Sequence, residues 1–253
     1  MPVKIVPTEQ PAAACVLAFD TSTERLALGV HGAGGSFTTM AEGGAAASAT
    51  LLPQLHALLA RAGLTLADVD AIAFGRGPGA FTGLRTACAV AQGLGFGLAR
   101  PLLPIDSLLV VAEDARMQRS PGASIFEVGV ATDARMDEVY AGRYRWQQGR
   151  WQVRQAPALM SLAVLAEAWA GDTAQVLAGS ALTAFGPRLA LPADGPRVAV
   201  EQDRAGALLR LARAAAQAGE GVDAAAALPL YLRDKVALTT REREAARAAA
   251  TST

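Results

Sequence analysis

The alternation of apolar and polar positions divides the chain into recognisable units. Residues 15–19 form a short apolar run ending at Asp20, and the polar turn Thr21-Ser22-Thr23-Glu24 follows. A second run spans 25–31, Gly32 to Gly35 carries a hairpin signal, and a third run covers 36–41. Three strands joined by short turns predict an antiparallel meander. From 48 to 61 the period becomes helical: Leu51, Leu52, Leu55, Leu58 and Leu59 fall at i, i+1, i+4, i+7 and i+8. Thr50 as N-cap places Pro53 in the first turn, where no amide donor is needed. A buried strand over 70–74 leads into "GRGPGAFTGLR" and a helix over 82–97. A further strand follows near 101–105, and Asp106 or Ser107 caps the next helix.

The second half repeats this plan. Residues 125–133 read as a strand ending at Asp133, and 138–146 with 150–154 as a hairpin around Gln148 and Gly149. Helices are expected over 161–170 and 203–218, with short strands at 174–178 and 197–200 and a Gly/Pro-rich stretch between 181 and 196. In each half a glycine follows the strand-ending aspartate by nine residues, Gly29 after Asp20 and Gly142 after Asp133. A duplicated strand-strand-strand-helix-strand-helix unit is the plan of the actin, Hsp70 and sugar-kinase class, an α/β fold of two subdomains with mixed sheets. The expected division is an extension over 1–14, subdomains over 15–118 and 119–240, and a tail over 241–253.

Composition narrows the function classes. With 23 basic and 23 acidic residues the formal net charge is zero, so bulk charge offers no broad grip on nucleic acid. Cys15 and Cys88 are the two cysteines, both in apolar surroundings, which fits a reducing, cytoplasmic setting better than a disulfide scaffold. No stretch approaches the run of about 20 apolar residues that spans a bilayer.

Two patterns suggest nucleotide chemistry. Gly75, Gly77 and Gly79 lie between a strand and a helix, as in a dinucleotide fingerprint, but no acid follows about 20 residues on, and no lysine completes a P-loop. Asp20 and Asp133 end equivalent strands, where the fold's kinases hold Mg²⁺ or orient a water; both could equally satisfy turn amides. The first turn, Asp20-Thr21-Ser22-Thr23, has a side chain at every position, so weak or no intrinsic ATP binding is expected. The helix over 82–97 carries small residues Gly83, Ala87, Ala91 and Gly95 at four-residue spacing, with Gly93 and Gly97 nearby and Val90, Leu94 and Leu98 beside them. Each glycine there costs about 1 kcal/mol relative to alanine, which is offset where another backbone comes close, either the protein's own sheet or a partner helix.

"AFDTSTERLALGV", "GRGPGAFTGLR" with "AQGLGFG", "TDARMDEVYAG" and "PLYLRDKVA" together resemble the TsaB (YeaZ) family, from Leu17 to about Ala237. Ala80 stands where the family usually has serine. The resemblance implies a non-catalytic subunit that pairs with its paralogue TsaD. With TsaD and the ATPase TsaE it is needed to transfer threonylcarbamoyl to the N6 of the adenosine next to the anticodon of tRNA. It also implies a homodimer through the same N-terminal helices when alone. No cofactor is expected in the isolated chain, and the complex interface is left open as a place for ATP or ADP. TsaD-like enzymes hold a metal with a histidine pair on one helix; His31 and His56 lie 25 residues apart in different elements. No metal site or catalytic residue is therefore expected.

The partner-binding candidates are Leu51, Leu52, Leu55, His56 and Leu59 on the first helix, with Gly83, Ala87, Val90, Ala91, Leu94 and Gly97 on the second. Together the two helices would build a four-helix bundle with a partner, and glutamate at Leu55 or Val90 is expected to abolish pairing while the chain stays folded. The hairpin "YAGRYRWQQGRWQVR" is a second candidate: Arg143 and Arg145 alternate with Tyr144 and Trp146, a pattern that can contact RNA or simply cover a sheet. The alternative function is a small-molecule kinase or ATPase of the same fold, using Asp20 and Asp133.

Overall fold

The computed structural model describes residues 14–170, 176–191 and 195–233. The expected tail, nearly all of the expected extension and the first residues of the expected 174–178 strand lie outside them. The first sheet holds β1 (Val16–Asp20), β2 (Arg25–Gly32), β3 (Gly35–Glu42), β4 (Ala71–Gly77) and β5 (Leu102–Asp106) in the order β3-β2-β1-β4-β5. The second holds β6 (Ile125–Arg135), β7 (Glu138–Gln147), β8 (Arg150–Ser161), β9 (Val176–Ala178) and β10 (Arg197–Val198) in the order β10-β9-β6-β7-β8. Read from the β8 edge, this is the order of the first sheet. In both, the first three strands are antiparallel and the last two join parallel to the first. The internal repeat is therefore a duplication of topology.

The helices are α1 (Ala47–Arg61), α2 (Phe81–Leu98), α3 (Ser107–Arg119), α4 (Leu162–Trp169), α5 (Ala181–Phe185) and α6 (Arg204–Gln217). Alternation along β1 sends Leu17 and Phe19 to the α1–α2 side, while Val16 and Ala18 meet Ala207, Leu208, Leu211 and Ala212 of α6. Packing does not respect a division at residue 118. Leu108, Val111, Ala112 and Ala115 of α3 lie against Phe126, Val128, Val130 and Tyr144 of the second sheet, whereas α6 covers the first. Each half gives its last helix to the other. The buried Glu113 of α3 fixes this exchange. Its carboxylate accepts from Arg116 (2.9 and 3.0 Å), from Arg210 of α6 (2.8 Å) and from the Trp151 indole of β8 (3.1 Å).

Two local expectations are corrected. The helix begins at Ala47 with Ala46 as N-cap, so Pro53 lies inside it rather than in the first turn; Thr50 is helical and its hydroxyl donates to the Ala46 carbonyl at 3.0 Å. The leucine packing outweighs the missing Pro53 donor. Gly75 and Gly77 are strand residues, paired with Ile105 and Asp106 across a bulge, so the turn proper begins only at Pro78.

Candidate functional site

The end of β1 and the turn after β4 meet, and there the two nucleotide-like motifs fill one another. A Cβ on Gly75 would lie 2.3 Å from the Asp20 carboxyl carbon, one on Gly79 2.4 Å from the Ser22 carbonyl oxygen, and one on Gly83 1.8 Å from the Thr21 carbonyl oxygen. The Ala80 amide donates to the Ser22 carbonyl at 2.8 Å, and the Thr21 hydroxyl donates to the Gly83 carbonyl at 2.7 Å. Asp20, Thr21 and Ser22 are buried, whereas Thr23 is half-buried. The glycines admit the chain's own turn.

Asp20 is fully buried and wholly engaged. It accepts from the Ser22 amide (2.6 Å), the Ser107 hydroxyl (3.2 Å) and the Arg204 guanidinium (2.8 Å). Burial alone would raise its pKa; the Arg204 charge and the Ser22 and Arg204 hydrogen bonds outweigh burial and hold it below the ordinary carboxylate value. For Arg204 burial pulls the other way, yet Glu201 and Asp20 keep it firmly protonated. Arg204 comes from the start of α6, 184 residues from Asp20. No local pattern in the sequence marks it. Its guanidinium stands directly against the Asp20 carboxylate and also donates to the Ser22 hydroxyl at 2.9 Å.

Beside this plug lies a cleft of about 670 Å³ between the halves. Asp133 lines it, with a side chain 22% exposed; the Asp133 amide donates to the Ser180 hydroxyl at 3.1 Å, and its carboxylate accepts from the Arg135 amide at 2.7 Å. Asp20 ends β1, whereas β6 runs two residues past Asp133 to Arg135, and of the two aspartates only Asp133 lines the cleft. Among the described residues no cluster of three or more His, Cys, Asp or Glu could hold a metal. His31 faces the Ser36 hydroxyl at 2.9 Å and His56 is exposed on α1. Deeper between the halves, the Tyr144 hydroxyl donates to Asp106 at 2.7 Å, and burial pushes both pKa values up.

The helix candidates separate into two sets. Leu51, Leu55 and Leu59 are at most 2% exposed and belong to the protein's own core, as do Gly83, Ala87 and Ala91. These residues correct the expected docking stripe: α1 and α2 have to cover β1, β2 and β4 before they can present anything to a partner. Leu52, 42% exposed, His56 and Gly97 remain on the outside, with Val90 and Leu94 half-buried. Sequence reasoning missed Phe96, which is 64% exposed on the outer face of α2 beside Gly93 and Gly97, where an added Cβ would meet open space. The available signal was an aromatic residue lying off the Val90–Leu94–Leu98 stripe.

This contrast predicts opposite responses to one substitution. Gly83→Ala must displace the Thr21 backbone and should destabilise the isolated chain by about 1–3 kcal/mol. Gly93→Ala meets nothing and should stabilise it by roughly 1 kcal/mol through helix propensity. Urea midpoints of the two variants check both signs.

The hairpin candidate is absorbed by packing. Tyr144 is 1% exposed, Trp151 makes edge contacts with Phe126, Tyr144 and Trp146, and Arg116 stacks on Trp146 at 4.2 Å. Arg143 stacks on Trp169 at 4.6 Å, and Arg145 pairs with Glu127 at 3.3 Å. The rings that would stack on bases already face side chains.

A family model described as "TsaD: tRNA N6-adenosine threonylcarbamoyltransferase" matches residues 43–175. A Haemophilus influenzae protein described as "tRNA threonylcarbamoyladenosine biosynthesis protein TsaB" is 41% identical over 128 residues, which is 49% of this chain and 51% of the relative. The Escherichia coli protein of the same description is 37% identical over 118 residues, 46% of this chain and 49% of the relative. The matched segment thus spans about half the length of these curated relatives. A solved structure, "YeaZ from Pseudomonas aeruginosa", superposes with a TM-score of 0.75 at 39% identity, covering 87% of this chain and 100% of that one. A second Pseudomonas aeruginosa structure, described as similar to peptidase YeaZ, gives 0.77 at 39% identity with the same coverage.

Proposed function

The chain belongs to the TsaB (YeaZ) family, and from that membership we propose that it serves threonylcarbamoyladenosine formation in tRNA as a non-catalytic subunit that pairs with a TsaD-like paralogue. The observation that carries the non-catalytic role is the plug: Asp20 is saturated by Arg204, Ser107 and Ser22, and the glycine turn holds the chain's own backbone. The pairing surface is the outer side of α1 and α2, with Leu52, His56, Val90, Gly93, Leu94, Phe96 and Gly97. Exposed Leu228 extends it, because the neighbouring Ala227 carbonyl accepts from Gln92 of α2 at 3.0 Å. Gly93 and Gly97 let a partner backbone come close, and Phe96 supplies apolar area. The same surface, turned on a second copy, gives the homodimer of the isolated chain. In the complex a TsaE-like ATPase joins, tRNA is reached through the assembly, and any ATP or ADP lies at the interface between subunits.

The test is reconstitution. The purified chain should co-purify with a TsaD-like subunit and restore tRNA threonylcarbamoylation when TsaD, TsaE and the threonylcarbamoyl donor are supplied; absence of both results removes the reading. Calorimetric titration of the isolated chain with Mg-ATP separates the small-molecule kinase alternative. No micromolar binding and no turnover are expected, and micromolar binding with turnover would favour the kinase.

A further inference from the structure

The geometry points to residues 227–233 as a latch that ties α2 to the β6–β7 turn and holds the two halves closed around the cleft. The segment crosses from one half to the other in seven residues, and each contact is specific. On the α2 side, the Ala227 carbonyl accepts from Cys88 (3.4 Å) and Gln92 (3.0 Å). The Leu230 amide donates to the Arg76 carbonyl at 2.7 Å, just before the glycine turn. The Tyr231 ring lies 5.3 Å from that of Phe81, and its hydroxyl accepts from Arg85 at 3.2 Å, while Arg85 stacks on Phe81 at 3.9 Å. Leu232 then packs against the core of the second half. Arg233 pairs with Glu138 at 2.5 Å and donates to the Ala134 carbonyl at 3.0 Å. Leu230, Tyr231, Leu232 and Arg233 form one wall of the cleft.

The far anchor is a turn under backbone strain. Arg135, Met136 and Asp137 have φ of 66°, 58° and 56°, and none is glycine. Such conformations persist only where the surroundings hold them. Arg233 on the Ala134 carbonyl is one restraint, and the exposed pairs Arg188–Asp137 (3.0 Å) and Arg135–Glu24 (3.6 Å) are weaker ones. A latch released at either end should therefore loosen the turn. This goes beyond the proposed pairing and does not depend on it.

Amide hydrogen exchange on the full chain tests the latch. Arg233→Ala should speed exchange at residues 134–138 by about tenfold, the factor expected for losing a charge-assisted bond. Tyr231→Ala is the decisive variant, because Tyr231 touches α2 and Phe81 while its effect is read at the turn. Faster exchange at 134–138, with β1 and β4 unchanged, supports the latch; an unchanged turn in Tyr231→Ala overturns it. Should Tyr231→Ala also loosen β1 and β4, Tyr231→Phe gives the same comparison with the ring stack kept. A faster turn there supports the latch, and an unchanged one overturns it.

Discussion

Asp20→Ala is expected to remove about 3–5 kcal/mol of stability at pH 7, because it strands the Arg204 charge in the interior with only Glu201 to balance it. That is a large part of the 5–15 kcal/mol typical of a folded domain. The pH dependence follows from the lowered Asp20 pKa. The unfolded carboxylate protonates near 3.8, whereas the folded one stays ionised to lower pH. The contribution is therefore complete well above 3.8 and is lost as pH falls through the lowered folded value. Asp20→Asn, which keeps the shape and loses the charge, should cost less at neutral pH and flatten the acid limb of the stability curve. Denaturant unfolding at pH 7 and pH 3 measures both effects. The expectation also divides the two functional readings. A kinase aspartate could be replaced with loss of turnover and little loss of stability, whereas a plug cannot. Wild-type stability in Asp20→Ala would remove the plug as the basis of the non-catalytic reading.

The second large effect concerns pairing. Phe96→Glu, with Leu52→Glu beside it, should leave the urea midpoint of the isolated chain within about 0.5 kcal/mol of wild type, since both side chains face solvent. It should also abolish co-purification with the TsaD-like subunit, because two charges would be buried unpaired between helices. Leu55→Glu should behave differently. Leu55 is 0% exposed among Phe19, Leu26 and Leu28, so glutamate there puts a charge into the core and unfolds the chain. Circular dichroism and size-exclusion chromatography of the separate proteins, followed by pull-down, distinguish the two. Retained pairing in the Phe96/Leu52 variant would move the interface off these helices.

Local patterning along the chain was enough to specify the elements and their doubling. Period-two runs and hairpin turns marked β1 to β3, the leucine spacing marked α1, and the matched spacing of Asp20–Gly29 and Asp133–Gly142 marked a duplication that the two sheets share in strand order. The α3 cap was readable as Asp106 or Ser107, and Asp106 takes it: its carboxylate accepts from the Leu108 amide two residues away at 2.9 Å. These features depend on neighbours within a few residues, so local pattern specifies them. Three things were decided only in three dimensions. Arg204 meets Asp20 across 184 residues, and nothing near either one announces the other. The small residues of α2 face two ways, Gly83 onto the Thr21 backbone and Gly93 into open space, and a spacing of four cannot say which side holds the sheet. Leu51, Leu55, Leu58 and Leu59 of α1 went to the protein's own core, leaving Leu52 outside, because β1, β2 and β4 must be covered before any surface is left to offer. Periodicity fixes which residues share a face; only the packed structure fixes what that face touches.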